Sequence, residues 1–203
     1  MENYIFDFGM VLVRFDTEYM TKQFIKDSDD CKTAKDIIFD RTYWDRLDDG
    51  TITDSEVKEC IKSRLPQRLW DSACKVYDNW YFNLPFIDGM VDLIKEIKAT
   101  GSKLFVLSNI SKGFAENYRK VPALEELFAL FDGIVFSAPL GIVKPEVEIF
   151  EYLLEKYKLD RRKTAFIDDS EKNIKSARAI GINGYTFDGD SEKLRRWLFS
   201  KEN

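Results

Sequence analysis

Four short stretches of this chain carry residues that could do chemistry together. Asp7 lies inside the apolar run YIFDFGMVLVRFD, Ser108 and Asn109 close LSN, Lys144 sits in VKPE, and Asp168, Asp169 and Ser170 follow one another in FIDDS. Each has an ordinary explanation when taken alone. Asp7 can accept bonds from loop N–H groups, Ser108-Asn109 can form a turn, Lys144 can be a solvated loop residue, and Asp168-Asp169-Ser170 can cap the next helix. Taken together, these readings require four coincidences. Clustered carboxylates repel one another unless a cation joins them. Hard oxygen donors, in a chain with no histidine and no CxxC pair, point to Mg²⁺. A magnesium site beside a lysine and a helix N-terminus suits a phosphoryl group. Asp7 could then be a nucleophile forming an aspartyl-phosphate that water later hydrolyses, with magnesium neutralising the repulsion between carboxylate and phosphate.

Composition narrows the classes. The absence of histidine excludes Ser-His and Cys-His catalysis and His-ligated zinc. A net charge of −5 without a long Lys/Arg cluster argues against a nucleic-acid partner. No apolar run approaches the ~20 residues needed to span a bilayer, and the N-terminus reads as lacking a secretory leader. The three cysteines, Cys31, Cys60 and Cys74, are an odd set without metal spacing, which fits reduced thiols in a cytoplasm. The expected partner is a small phosphorylated metabolite, and the expected assembly is a monomer or homodimer.

The elements that must position these residues follow from pattern. NYIFDF (3–8) reads as a buried strand, with Asp16 capping a helix over 17–27. The capping box TDSE (53–56) opens a helix over 54–63, and Pro66 suits the first turn of another. The region from 16 to 84 contains no good strand. Beyond Pro85 the pattern alternates: a helix over 87–99, a strand KLFVLS (103–108), helices over 112–119 and 123–130, and a strand GIVFS (133–137). A helix over 145–157, a strand TAFID (164–168), a helix over 171–180, a strand near GYTF (184–187) and a helix over 191–199 complete it. Apolar strands separated by amphipathic helices predict an α/β fold: a Rossmann-like parallel sheet with helices on both faces. The expected division is a catalytic core over 1–15 and 85–203 and an inserted α-helical cap over 16–84. In such a sheet ligands bind at the carboxyl ends of the strands, where the four stretches fall.

The order FDFG, LSN, VKPE, FIDDSEKN resembles the haloacid dehalogenase (HAD) superfamily over nearly the whole chain, with the insert resembling its small helical cap. FDFGMVLVRFD and GIVKPEVEIF are similar to the subgroup of sugar-phosphate phosphatases active on glucose 1-phosphate. The resemblance implies Asp7 as nucleophile and magnesium ligand, with the carbonyl of Gly9 and Asp169 as further ligands and Asp168 in or behind the metal shell. It implies phosphate binding by Ser108, the N–H of Asn109 and Lys144, with Lys144 bridging phosphate and nucleophile. Asn173 either holds the last motif in shape or is a plain helix residue. Metal-free dehalogenases of the superfamily are the rival chemistry, disfavoured because the pair Asp168-Asp169 would lack a compensating cation.

One departure stands out. Most phosphatases of the superfamily carry a second aspartate two residues after the nucleophile, as general acid and base. Gly9 cannot serve. Either the leaving group needs little protonation, as an anomeric hydroxyl would, or a cap residue or water supplies the proton, or the protein binds phosphorylated ligands with little turnover. Gly9 could also meet a backbone requirement, for positive φ or for close approach to the metal. In the cap, Arg41, Trp44, Asp45 and Arg46 are candidates to meet the leaving group. The plain alternative is that Tyr43 and Trp44 pack inside the cap while the charges are solvated.

Overall fold

The structure is a computed structural model describing residues 1–199. Five strands form one parallel sheet: β1 (Asn3–Phe6), β2 (Lys103–Ser108), β3 (Gly133–Phe136), β4 (Thr164–Asp168) and β5 (Asn183–Thr186). They lie in the order β3-β2-β1-β4-β5, so β1 is central, and the register aligns Phe6 with Val106 on one side and Ile167 on the other. All three strand ends therefore open along one edge.

Alternation along the strands sends side chains into two cores. Tyr4, Phe6, Leu104, Val106, Ala165 and Ile167 face one side, packed with Leu93 and Ile97 of α6 (Met90–Ala99) and Leu194 of α11 (Ser191–Phe199). Ile5, Phe105, Leu107, Val135 and Phe166 face the other. There they meet Ile149, Phe150 and Leu153 of a helix over Val147–Tyr157 and Ile174 of a helix over Glu171–Ala179. The sheet is thus covered on both faces, as its unbroken apolar strands require.

Between β1 and α6 the described chain forms helices and no strand: α1 (Thr17–Lys22), α2 (Ser28–Ile38), α3 (Arg41–Asp48), α4 (Asp54–Arg64) and α5 (Trp70–Asn79). The remaining helices, in chain order, are α7 (Lys112–Asn117), α8 (Pro122–Phe128), α9 (Val147–Tyr157) and α10 (Glu171–Ala179). The expected single helix over 17–27 is two helices. Asp16 caps α1 through Tyr19 N–H, but α2 starts anew because the Asp27 carboxylate accepts from Asp29 and Asp30 N–H. The box of Thr53 and Glu56 caps α4 as expected. The helix expected from 87 begins only at Met90, since Gly89 adopts φ 77°, a conformation glycine enters without steric cost. After Pro66 a 3₁₀ turn precedes α5, and α9 starts at Val147 rather than Pro145. Strand β1 ends at Phe6, which leaves Asp7 in the turn beyond it. No helix among the described residues is long and apolar enough to cross a membrane.

Candidate active site

Asp7 emerges from the end of β1, its N–H still bonded to the Ile167 carbonyl at 2.9 Å. Its Oδ1 accepts from Phe8 N–H at 2.6 Å and lies 2.9 Å from Lys144 Nζ. Among the described residues no donor reaches Oδ2. Lys144 arrives on the loop after β3, and its ammonium also donates to Asp168 Oδ2 at 2.7 Å. The Lys144 side chain is 1% exposed, that of Asp168 0% and that of Asp7 13%. One buried cation thus binds two carboxylates from adjacent strands.

Asp168 is held from every side. Ser170 N–H donates to its Oδ1 at 2.8 Å, and Asn173 Nδ2 lies 3.0 and 3.1 Å from its two oxygens. Asn173 therefore does shape this motif, from the first turn of α10. Asp169 points outward and is exposed, yet one oxygen each of Asp7, Asp168 and Asp169 lie within 4.8 Å of one another. Such a set of hard oxygens suits a small divalent cation.

The second motif does two jobs. Asn109 spends its side chain on the Lys144 main chain: Nδ2 donates to the Lys144 carbonyl at 2.9 Å and Oδ1 accepts from Lys144 N–H at 2.8 Å. This reciprocal pair fixes the lysine loop to the end of β2. Ser108 is buried at the same strand end, its hydroxyl reaching the Asn109 carbonyl at 3.4 Å.

The electrostatics follow from burial. Desolvation, reinforced by Asp168, pushes the Asp7 carboxyl up to about 7 although Lys144 pulls it down. Burial also lowers the Lys144 ammonium, but Asp7 and Asp168 outweigh it and the net shift is upward. Asp169 is raised by burial and then by Asp168. Two of the three acids are thus held against their charged forms, as expected where positive charge is in deficit.

Gly9 does not need its freedom for positive φ or for room among neighbouring protein atoms. Its φ is not positive, and a Cβ built there meets nothing within 4 Å. The left-handed residue of this turn is Met10, at φ 57°. Position 9 therefore has room for a side chain that the chain does not supply.

The insert residues are placed otherwise. Trp44 is buried in an aromatic cluster with Phe15, Phe39 and Trp80, its indole N–H donating to the Ile38 carbonyl at 2.8 Å. Its position is that of a packing residue. Arg41 and Asp45 pair with each other on the surface of α3, 75% and 61% exposed. Arg46 donates to the Thr51 carbonyl at 3.3 Å. Composition and periodicity gave no reason to single out Ser137 or Asp48. The Ser137 hydroxyl donates to the Asp48 carbonyl at 2.5 Å and accepts from Ile110 N–H at 2.9 Å. A polar residue ending β3 was the available signal, since GIVFS closes on that serine.

These features define a class. Residues 4–186 match the haloacid dehalogenase-like hydrolase family, and the chain belongs to that family of hydrolases. It is 24% identical over 193 residues to the D-ribitol-5-phosphate phosphatase of Bacteroides thetaiotaomicron, covering 91% of each chain. A sesquiterpene phosphatase of Aspergillus oryzae is 32% identical over 95 residues, a match that spans about half the length of either protein, 47% of each. Among solved structures, a HAD family enzyme of Bacteroides thetaiotaomicron in complex with magnesium superimposes with a TM-score of 0.70 at 25% identity, covering 97% of this chain and 98% of that one. The L-2-haloacid dehalogenase of Xanthobacter autotrophicus shares the fold, with a TM-score of 0.66 at 16% identity, covering 99% of this chain and 83% of that one.

Proposed function

We propose that this protein is a magnesium-dependent phosphatase of small phosphorylated metabolites, sugar phosphates foremost, with residues 1–15 and 85–203 as catalytic core and 16–84 as helical cap. The observation that carries this reading is the double contact of Lys144 with Asp7 and Asp168 beside the outward-facing Asp169. Asp7, Asp169, the carbonyl of Gly9 and, directly or from behind, Asp168 would hold Mg²⁺. Bound there, the ion would offset the repulsion between carboxylate and phosphate. The likeness to a ribitol phosphate phosphatase and to a magnesium-bound family member supports the same reading.

The chain's own groups divide the work. Lys144 neutralises charge on Asp7 and on the incoming phosphoryl oxygens, while Ser108 and the Asn109 N–H orient them. Asp7 attacks phosphorus and releases the alcohol, and water then cleaves the aspartyl-phosphate. The Asn109 clamp on the lysine loop keeps donor and nucleophile in one geometry. A metal-free attack on carbon, as in a dehalogenase, would leave Asp168 and Asp169 facing Asp7 with one lysine among three acids.

A panel of phosphometabolites at millimolar Mg²⁺, read by release of inorganic phosphate, tests this directly. Turnover of sugar phosphates, lost in EDTA and lost in Asp7→Asn with its circular dichroism unchanged, is the expected result. Ligand-induced thermal shifts without phosphate release would instead favour a binding protein, and full activity in EDTA a dehalogenase.

A further inference from the structure

Position 9 carries no acid, and the end of α3 brings one, Asp48, close to the end of β2. Asp48 is the last residue of α3, and its carbonyl accepts the Ser137 hydroxyl at 2.5 Å. Ser137 N–H in turn donates to the Ser108 carbonyl at 3.1 Å, and its Oγ accepts from Ile110 N–H. One serine therefore joins the Asp48 backbone to the end of β2, the strand end that carries Ser108. The neighbouring turn is seated just as closely. A Cβ at Gly50 would lie 2.8 Å from the Ala138 carbonyl, so that residue abuts the loop after β3.

The Asp48 carboxylate is half-buried, yet among the described residues no hydrogen bond or ion pair reaches it. No buried side-chain oxygen in the described residues lacks a partner, so both of its oxygens border solvent-accessible space. The groups whose charge it feels are Arg41 and Asp45 on its own helix and Asp7 and Lys144 across the cleft. Of the other acids near this edge, Asp168 is engaged by Lys144 and Asn173, Asp49 by Thr51 N–H and hydroxyl, and Asp169 stands with the carboxylates suited to a cation.

We propose that Asp48 is the general acid and base of the reaction, delivered by the insert in place of the side chain missing at Gly9. The inference rests on the phosphatase reading above. In the first step Asp7 forms its bond to phosphorus, the bond from phosphorus to the leaving oxygen breaks, and the Asp48 carboxyl gives its proton to that oxygen. In the second, the Asp48 carboxylate takes a proton from water as the water oxygen bonds to phosphorus. The bond to Asp7 then breaks, and inorganic phosphate leaves with Asp48 protonated again. Burial holds the Asp48 carboxyl up to about 7, with Arg41 opposing and Asp45 and Asp7 reinforcing the shift, which suits a group that must both give and take a proton near neutrality.

The test is Asp48→Asn in the magnesium-loaded protein, assayed on β-glycerol phosphate and p-nitrophenyl phosphate. The first has a poor leaving group and the second a good one. Turnover of β-glycerol phosphate should fall by about 10²–10⁴-fold, the range of general acid–base catalysis. On p-nitrophenyl phosphate the variant should release one rapid equivalent of nitrophenol and then stall, because only the water step still needs a base. Since position 9 has room, Gly9→Asp added to Asp48→Asn should recover much of the lost rate. Turnover of both substrates within threefold of the unmodified protein would overturn the proposal and leave the phosphatase reading standing. An equal loss on both substrates, with no burst and no recovery through Gly9→Asp, would reduce Asp48 to a structural role. Absence of turnover in the unmodified protein would fall instead on the phosphatase reading.

Discussion

The sheet edge and the helical insert handle charge in opposite ways. At the edge, Lys144, Asp7 and Asp168 are withdrawn from solvent and share one ammonium, with Asn173 and Ser170 also donating to Asp168. In the insert, charges pair on the outside, as Arg41 with Asp45, Arg64 with Asp40 and Arg68 with Asp30 do, around an aromatic interior of Phe39, Trp44 and Trp80. A buried charge survives only when fully partnered, so each edge residue depends on the others. An exposed pair is worth about 0–1 kcal/mol and can drift freely. The contrast separates residues whose type is dictated by chemistry from residues whose type is dictated by solvent.

The sharpest way to break that contrast is to remove its central cation. Lys144→Met leaves two carboxylates buried against each other and should cost about 3–5 kcal/mol, measured by urea unfolding in EDTA; a loss below 1 kcal/mol would mean that the edge is no more interdependent than the surface. Next is Asn173→Ala, which frees Asp168 to rotate. Loss of such a supporting partner typically lowers metal affinity 10–100-fold, so the Mg²⁺ concentration for half-maximal activity should rise by that factor, and an unchanged requirement would detach Asp168 from the metal.

A smaller effect is expected from pH. Asp7 and Asp48 are both pushed up to about 7. Between the ordinary carboxylate range near ~4 and that value, the folded chain holds protons that the unfolded chain has released. Metal-free stability should therefore fall as pH rises through this window and level off above it, a decline of several degrees in melting temperature in EDTA. Asp7→Asn should flatten that decline, and a melting temperature that climbs with pH would contradict it. The smallest expected effect is that of Arg41→Ala, at under ~0.5 kcal/mol. A raised KM at constant kcat in that variant would show that a surface charge of the insert meets substrate after all.

The same contrast explains what the sequence made legible. Strands β2 and β4 were readable to the residue because both faces are buried and their composition is unbroken. The convergence of Asp7, Lys144 and Asp168 was readable because a polar residue at the end of an apolar run is costly without partners. Trp44 left two readings open, since an aromatic residue among charges looks the same in one dimension whether it faces a ligand or a core, and the structure packs it against Phe39 and Trp80. Asp48 was hidden for a different reason. Its placement depends on Ser137 meeting α3 across 89 residues, and no local pattern encodes such a meeting. The break between α1 and α2 was missed because Asp27 reads equally as one more helical acid or as a fresh cap.

Ser137 has a consequence of its own. Its hydroxyl has a single proton, given to the insert, while its oxygen receives the proton of Ile110 in the turn that follows Ser108. Were a phosphate to draw in that turn, it would also pull on the end of α3, and linkage would require the reverse effect to be equal in free energy. One hydroxyl thus ties the turn after Ser108 to the attachment of the insert, so that loosening either one is felt by the other.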